Sequence, residues 1–245
     1  MFLLSVDTSS VMGSLSIVKT NKSSYNCLSQ KKWTSDKNKQ SHDQVITVFL
    51  QEALQEAGIS LKQLKLIICG VGPGSFTGIR VSVNFAKSLA FSLKIPIVQV
   101  SSLESLAYQN KKKLIKTDNK KDALLSLVHA FSKKIYLASY CSLNFSTILK
   151  KQVINYDQLE DLLSLQNINC WHISGDAYPL FKKYFSDSIK EKFKIYPKIA
   201  YPCSLNMIEL FLQNSEKQKN TLDWKGLMPL YIRSSSAEEL LNKKK

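Results

Sequence analysis

One order of apolar runs and turns occurs twice along the chain, and that duplication restricts the fold more than any single motif. Phe2-Leu-Leu-Ser-Val-Asp7 is an apolar run that ends on Thr8-Ser9, and residues 13–18 alternate small polar with apolar side chains, as a paired strand does. A third strand is expected over about residues 24–33 and a helix over 42–57, stopped by Gly58. A strand at 64–69, a glycine loop, a helix at about 77–93 and a strand at 95–100 complete the half. The second half follows the same plan. It has strands at 123–128, 135–141 and about 146–154, a helix at 156–165, a strand at 170–175, loop and helix at 176–185, a strand near 193–196 and a helix at 204–213.

Composition narrows the classes. Of 245 residues, 44% are hydrophobic, enough for a real core divided between two modest lobes. No run has the roughly 20 apolar residues of a membrane helix. The apolar start lacks a basic leader region and runs straight into Asp7, so a cytoplasmic location is expected. Cys27, Cys69, Cys141, Cys170 and Cys203 are never closer than 29 residues, which disfavours disulfide frameworks and zinc knuckles. The net charge of +15 invites a nucleic-acid partner, yet only Arg80 and Arg233 are arginines. Most of the lysine charge therefore reads as a solvated face. The clusters Lys111–Lys113, Lys120–Lys121 and Lys243–Lys245, read as loops or tail, remain available to hold a nucleic acid non-specifically.

A duplicated βββαβα unit resembles the actin, Hsp70 and sugar-kinase superfamily (ASKHA, RNase H-like). The resemblance implies an α/β, two-lobed, actin-like fold. Its first lobe would span residues 1–103, with 204–233 packing back on it. The second, smaller lobe would span 104–203, followed by a polar basic tail at 234–245. In that superfamily the turn after each first strand approaches nucleotide phosphates and their metal. The first half has Asp7-Thr8-Ser9, but the second offers His129-Ala130-Phe131, which cannot replace a carboxylate as a magnesium ligand. The second lobe is thus expected to be degenerate.

Strand, Gly70-Val-Gly-Pro-Gly-Ser-Phe-Thr-Gly-Ile-Arg80, then helix is a geometry that can cradle phosphate. It is no Walker loop, because no Gly-Lys-Ser/Thr follows and Pro73 lacks a donor. A tight turn with Ser75 or Thr77 capping the helix is the other reading. As a string the segment is similar to the signature of the TsaB (YeaZ) family. Val6-Asp-Thr-Ser9, the His42 helix, Ser101-Ser-Leu-Glu-Ser-Leu-Ala107, Ser174-Gly-Asp176 and Pro229-Leu-Tyr-Ile-Arg233 agree with it. That family usually has Asp-Ala-Arg where this chain has His129-Ala130-Phe131.

The helix after the loop is apolar over roughly 200°, about twice the stripe a surface helix needs. In the helix from His42, Val45 and Val48 fall outside the main stripe. Spare apolar surface of this kind is covered either by the chain itself or by a partner. TsaB-like proteins pair through these two helices with the related subunit TsaD. The resemblance therefore implies a partner face of His42, Val45, Ile46, Phe49, Phe76, Ile79, Arg80, Val83, Asn84 and Lys87. It leaves Asp7, Thr8, Ser9, Gly72, Gly74, Ser75, Thr77 and Gly78 as vestigial nucleotide or phosphate contacts.

It further implies a non-catalytic, activating subunit for threonylcarbamoyladenosine formation in tRNA. TsaE would dock on the pair, ATP and metal would sit on the partners, and the chain alone could form a homodimer. No catalytic or metal residue of its own is expected, since His42, His129 and His172 show no helical ligand spacing. Two rivals stand beside this: a small-molecule kinase working from Asp7, and a glycopeptidase-like hydrolase. The latter lacks a Gly-x-Ser-x-Gly elbow, and Ser75 has no assigned base.

Overall fold

A computed structural model describes residues 1–21, 24–35, 41–114 and 121–233. The basic tail and Lys120 lie outside them. Strands β1 (Phe2–Asp7), β2 (Met12–Asn21), β3 (Ser24–Thr34), β4 (Leu64–Gly70) and β5 (Ile97–Val100) form one sheet in the order β3-β2-β1-β4-β5. Strands β6 (Asp122–His129), β7 (Lys134–Cys141), β8 (Thr147–Asn155), β9 (Cys170–Ser174) and β10 (Phe193–Ile195) form the other, β10-β9-β6-β7-β8. Read from third to fifth strand, the two orders are the same. In each sheet the first three strands run antiparallel and the fourth and fifth join parallel. The duplicated βββαβα plan is present.

The helices are α1 (His42–Ala57), α2 (Phe76–Leu93), α3 (Ser102–Lys113), α4 (Leu159–Ser164), α5 (Tyr178–Phe181), α6 (Asp187–Lys190), α7 (Ser204–Gln213) and α8 (Ser215–Lys219). Local chemistry sets the ends of α1. Ser41 and Gln44 form a capping box, and Gly58 closes the helix in the left-handed region at φ 63°. The helix expected at 156–165 begins as a 3-10 turn, Tyr156–Gln158, before α4. Residues 101–107, read only as a motif, open α3 through a second capping box of Ser101 and Glu104. Lys111–Lys113 are not in a loop but in the last turn of α3, where their charge complements the helix dipole.

Strand alternation splits each sheet between two cores. In the first, Leu4, Val6, Ile67 and Cys69 face α1 and α2. Leu3, Leu66 and Ile68 face the opposite way, against Met207, Ile208 and Phe211 of α7. In the second, Leu125, Leu127 and Ile173 pack with residues of α4, α5 and α6. Leu124, Val128 and Ala138 meet Leu103, Leu106 and Ala107 of α3. The halves therefore exchange helices. The helix that follows the first sheet covers the second, and α7, from the second half, covers the first.

Candidate functional site

The β1–β2 turn and the glycine loop are pressed together. Ser75 N–H donates to the Ser9 carbonyl at 2.7 Å, and Thr8 Oγ1 donates to the Gly78 carbonyl at 2.7 Å. Glycine is required by this approach, since a Cβ on Gly74 would lie 2.1 Å from the Ser9 oxygen and one on Gly78 2.0 Å from the Thr8 oxygen. Ser75 caps α2, its hydroxyl accepting from Gly78 N–H, while Thr77 is exposed. Ser102 N–H donates to the Gly72 carbonyl and Ser82 Oγ to that of Gly70. The loop is a packed junction between β1, α2 and α3.

Asp7 lies beneath it and is fully buried. Its Oδ1 accepts from Ser9 N–H at 2.9 Å and Ser9 Oγ at 2.8 Å, and Ser102 Oγ donates to Oδ2 at 3.4 Å. A Cβ on Gly70 would fall 1.9 Å from Oδ2, so no space separates strand from carboxylate. Burial raises the Asp7 pKa above the usual carboxylate range, the serine hydrogen bonds opposing it only in part.

At the corresponding turn of the second half, His129 N–H donates to Asp176 Oδ1 at 2.9 Å. The Arg233 guanidinium donates to the Ala130 and Phe131 carbonyls. Phe131 itself is exposed.

His42 clasps three elements. The Trp33 indole N–H donates to Nδ1 at 2.9 Å, which leaves the proton on Nε2, 2.8 Å from the Ser10 carbonyl it donates to. Burial holds His42 below its ordinary pKa of 6.5, with Ser10 and Asp7 pulling the other way. As pH falls the unfolded chain is protonated first, so this contribution is complete above about pH 6.5 and declines below it until native His42 also titrates. Urea midpoints taken from about pH 7.5 down to 5.5 should show a loss of up to about 1.4 kcal/mol per pH unit. His42→Gln should remove that component of the slope.

The face expected to meet a partner is only partly free. His42, Val45, Ile46, Ile79 and Val83 are buried within the chain. Their side chains serve the core of this chain, and Val45 is not spare surface. His42 is enclosed by Trp33 and the Ser10 turn, and Ile79 and Val83 share their core with the C-terminal segment, which returns across α2. Leu227 and Leu230 join the core of Ile79 and Val83, Leu230 N–H donates to the Val71 carbonyl, and Tyr231 stacks on Phe76 at 4.4 Å. Arg80 is not wholly free either. It is exposed, but it lies over the Phe76 ring and donates Nε–H to Tyr231 Oη at 3.0 Å. Phe49 is half-buried on Trp33, Lys87 is half-buried beside Met228, and Asn84 is exposed. Sequence reasoning missed Phe91, Met228 and Tyr231, all exposed. For Tyr231 the available signal was the Pro229–Arg233 motif that contains it.

Among the described residues, no helix is long and apolar enough to cross a membrane. Residues 33–240 match the family profile described as TsaD, tRNA N6-adenosine threonylcarbamoyltransferase. A Buchnera aphidicola relative, tRNA threonylcarbamoyladenosine biosynthesis protein TsaB, is 32% identical over 74% of this chain and 83% of its own. Its Haemophilus influenzae counterpart is 27% identical over 95% and 93%. Threonylcarbamoyltransferase relatives match far less, that of Geobacillus thermodenitrificans over 28% of this chain and 20% of its own. A Pseudomonas aeruginosa structure described as similar to peptidase YeaZ superposes with a TM-score of 0.75 at 19% identity, covering 95% of this chain and 99% of that one. The full-length matches thus fall with one of two related groups, and the chain belongs to the TsaB (YeaZ) family, within the actin-like superfamily.

Proposed function

We propose that this chain is a non-catalytic, activating subunit in the formation of N6-threonylcarbamoyladenosine, beside the anticodon of tRNAs that read codons beginning with A. It acts by pairing with TsaD. Chemistry, ATP and the catalytic metal then belong to partner subunits, TsaE docks on the pair, and the tRNA is substrate of the whole. The names carried by the relatives support the pathway.

The observation that carries the non-catalytic role is Asp7. A phosphotransfer enzyme of this fold needs that carboxylate at the surface of a cleft, and here it is fully buried and occupied by Ser9 and Ser102. Family and fold alone would not decide this, because related folds host unrelated chemistries. Val48, Phe49, Phe76, Arg80, Asn84 and Lys87 on α1 and α2 remain as the surface for TsaD. Reconstitution tests the reading. Purified partners, ATP, a threonylcarbamoyl donor and unmodified tRNA should give only background modification until this chain is added, and full rate without it would sink the idea.

A further inference from the structure

Cysteine spacing along the chain gives no zinc motif, but β6 and β9 assemble a ligand set that the spacing hides. Cys170 and His172 are two residues apart on β9 and share a face, while Trp171 between them enters the opposite core. Asp122 is the register partner of Cys170 on β6, so it joins the same face. One ligand atom from each lies within 4.8 Å of the other two. We infer that Asp122, Cys170 and His172 form a binding site for a borderline divalent cation of the zinc type.

Three observations carry it. His172 Nε2 stands 3.4 Å from Asp122 Oδ2, long for an N–H to carboxylate hydrogen bond. Two ligands of one tetrahedral zinc, with bonds of about 2.0–2.1 Å, stand roughly 3.3–3.4 Å apart. Secondly, Asp122 Oδ1 is buried with no hydrogen-bond partner among the described residues. A buried carboxylate oxygen left in this state is costly unless something positive meets it.

Thirdly, the outer contact of the histidine is in place. Tyr196 Oη lies 3.1 Å from His172 Nδ1, so an Nδ1–H donated to it leaves the Nε2 lone pair facing Asp122. Thiolate and carboxylate together balance a dication. Lys194, opposite His172 on β10, is held against the Tyr196 hydroxyl, outside the ligand set. The Cys170 sulfur, within 4.8 Å of the other two ligand atoms, has to draw closer by up to roughly 1 Å, and gives up its proton to the solvent on ligation. Three protein ligands leave the fourth position to water.

The test uses the full chain, stripped with a chelator and titrated with Co2+. One equivalent should bind saturably, with an ultraviolet thiolate-to-cobalt charge-transfer band and four-coordinate visible bands, both lost on adding Zn2+. Cys170→Ser should abolish the charge-transfer band, whereas Cys141→Ser should keep it. Tyr196→Phe should retain the band while weakening affinity about 10–100-fold. Circular dichroism checks that each variant is folded, and the wild-type titration decides alone where one is not. Failure of the wild type to take up one equivalent, or a band that survives in Cys170→Ser, overturns the site. Neither outcome touches the pairing with TsaD, which the reconstitution reads separately.

Discussion

Gly78→Ala is expected to lower the free energy of unfolding by about 3 kcal/mol or more, although alanine is the better helix former by about 1 kcal/mol. Propensity and packing oppose each other here, and packing wins on magnitude. The new Cβ would stand 2.0 Å from the Thr8 carbonyl oxygen, a backbone atom of a fully buried residue just beyond the paired end of β1 at Asp7. Relief requires the β1–β2 turn to part from the loop, breaking the Thr8 to Gly78 and Ser75 to Ser9 hydrogen bonds. Urea unfolding provides the measurement, with Gly58→Ala as comparison. At Gly58 nothing lies within 4 Å of the added Cβ, and only the left-handed φ of 63° opposes it, a cost of about 1–2 kcal/mol. Equal stability of Gly78→Ala and wild type would mean that the two loops are not in contact.

The second large effect concerns association rather than folding. Val48 is 49% exposed on α1, so Val48→Asp should change stability by no more than about 0.5 kcal/mol. If α1 meets TsaD, an unpaired charge buried at that contact costs about 3–5 kcal/mol, at least about a hundredfold in affinity. Calorimetric titration of the variant into TsaD reads the change. Affinity equal to wild type would move the partner surface off this helix. Val83→Asp is no substitute, because Val83 is 2% exposed within the first core and a carboxylate there would unfold the chain before any association could be read.

Where the signals are local, the fold was legible from the residues. The bounds of α1 and α7 follow from periodicity and end signals, and the repeated strand order needed only alternation and turns. What escaped depends on segments distant in sequence. A carboxylate at a strand end reads as a phosphate-site residue; Ser9 beside it supplies two hydrogen bonds to Oδ1, but the closure of Oδ2 by Ser102, 95 positions on, has no local signal. The apolar arc of α2 was visible, but the part of its cover that comes from the returning strap with Leu227 and Tyr231 has no periodicity of its own. The Cys170-x-His172 alternation could be seen, whereas Asp122 joins it only through parallel pairing of β6 with β9.

The exchange of α3 and α7 between the sheets also dictates an order of assembly. While the ribosome is still making the second half, the face of the first sheet that carries Leu3, Val18, Leu66, Ile68 and Val100 lacks the cover of α7, because Met207, Ile208 and Phe211 do not yet exist. The emerging polypeptide must therefore carry an apolar sheet face until residues 204–213 leave the exit tunnel. Chains cut short near residue 203 should be clients of holdase chaperones rather than a stable first lobe.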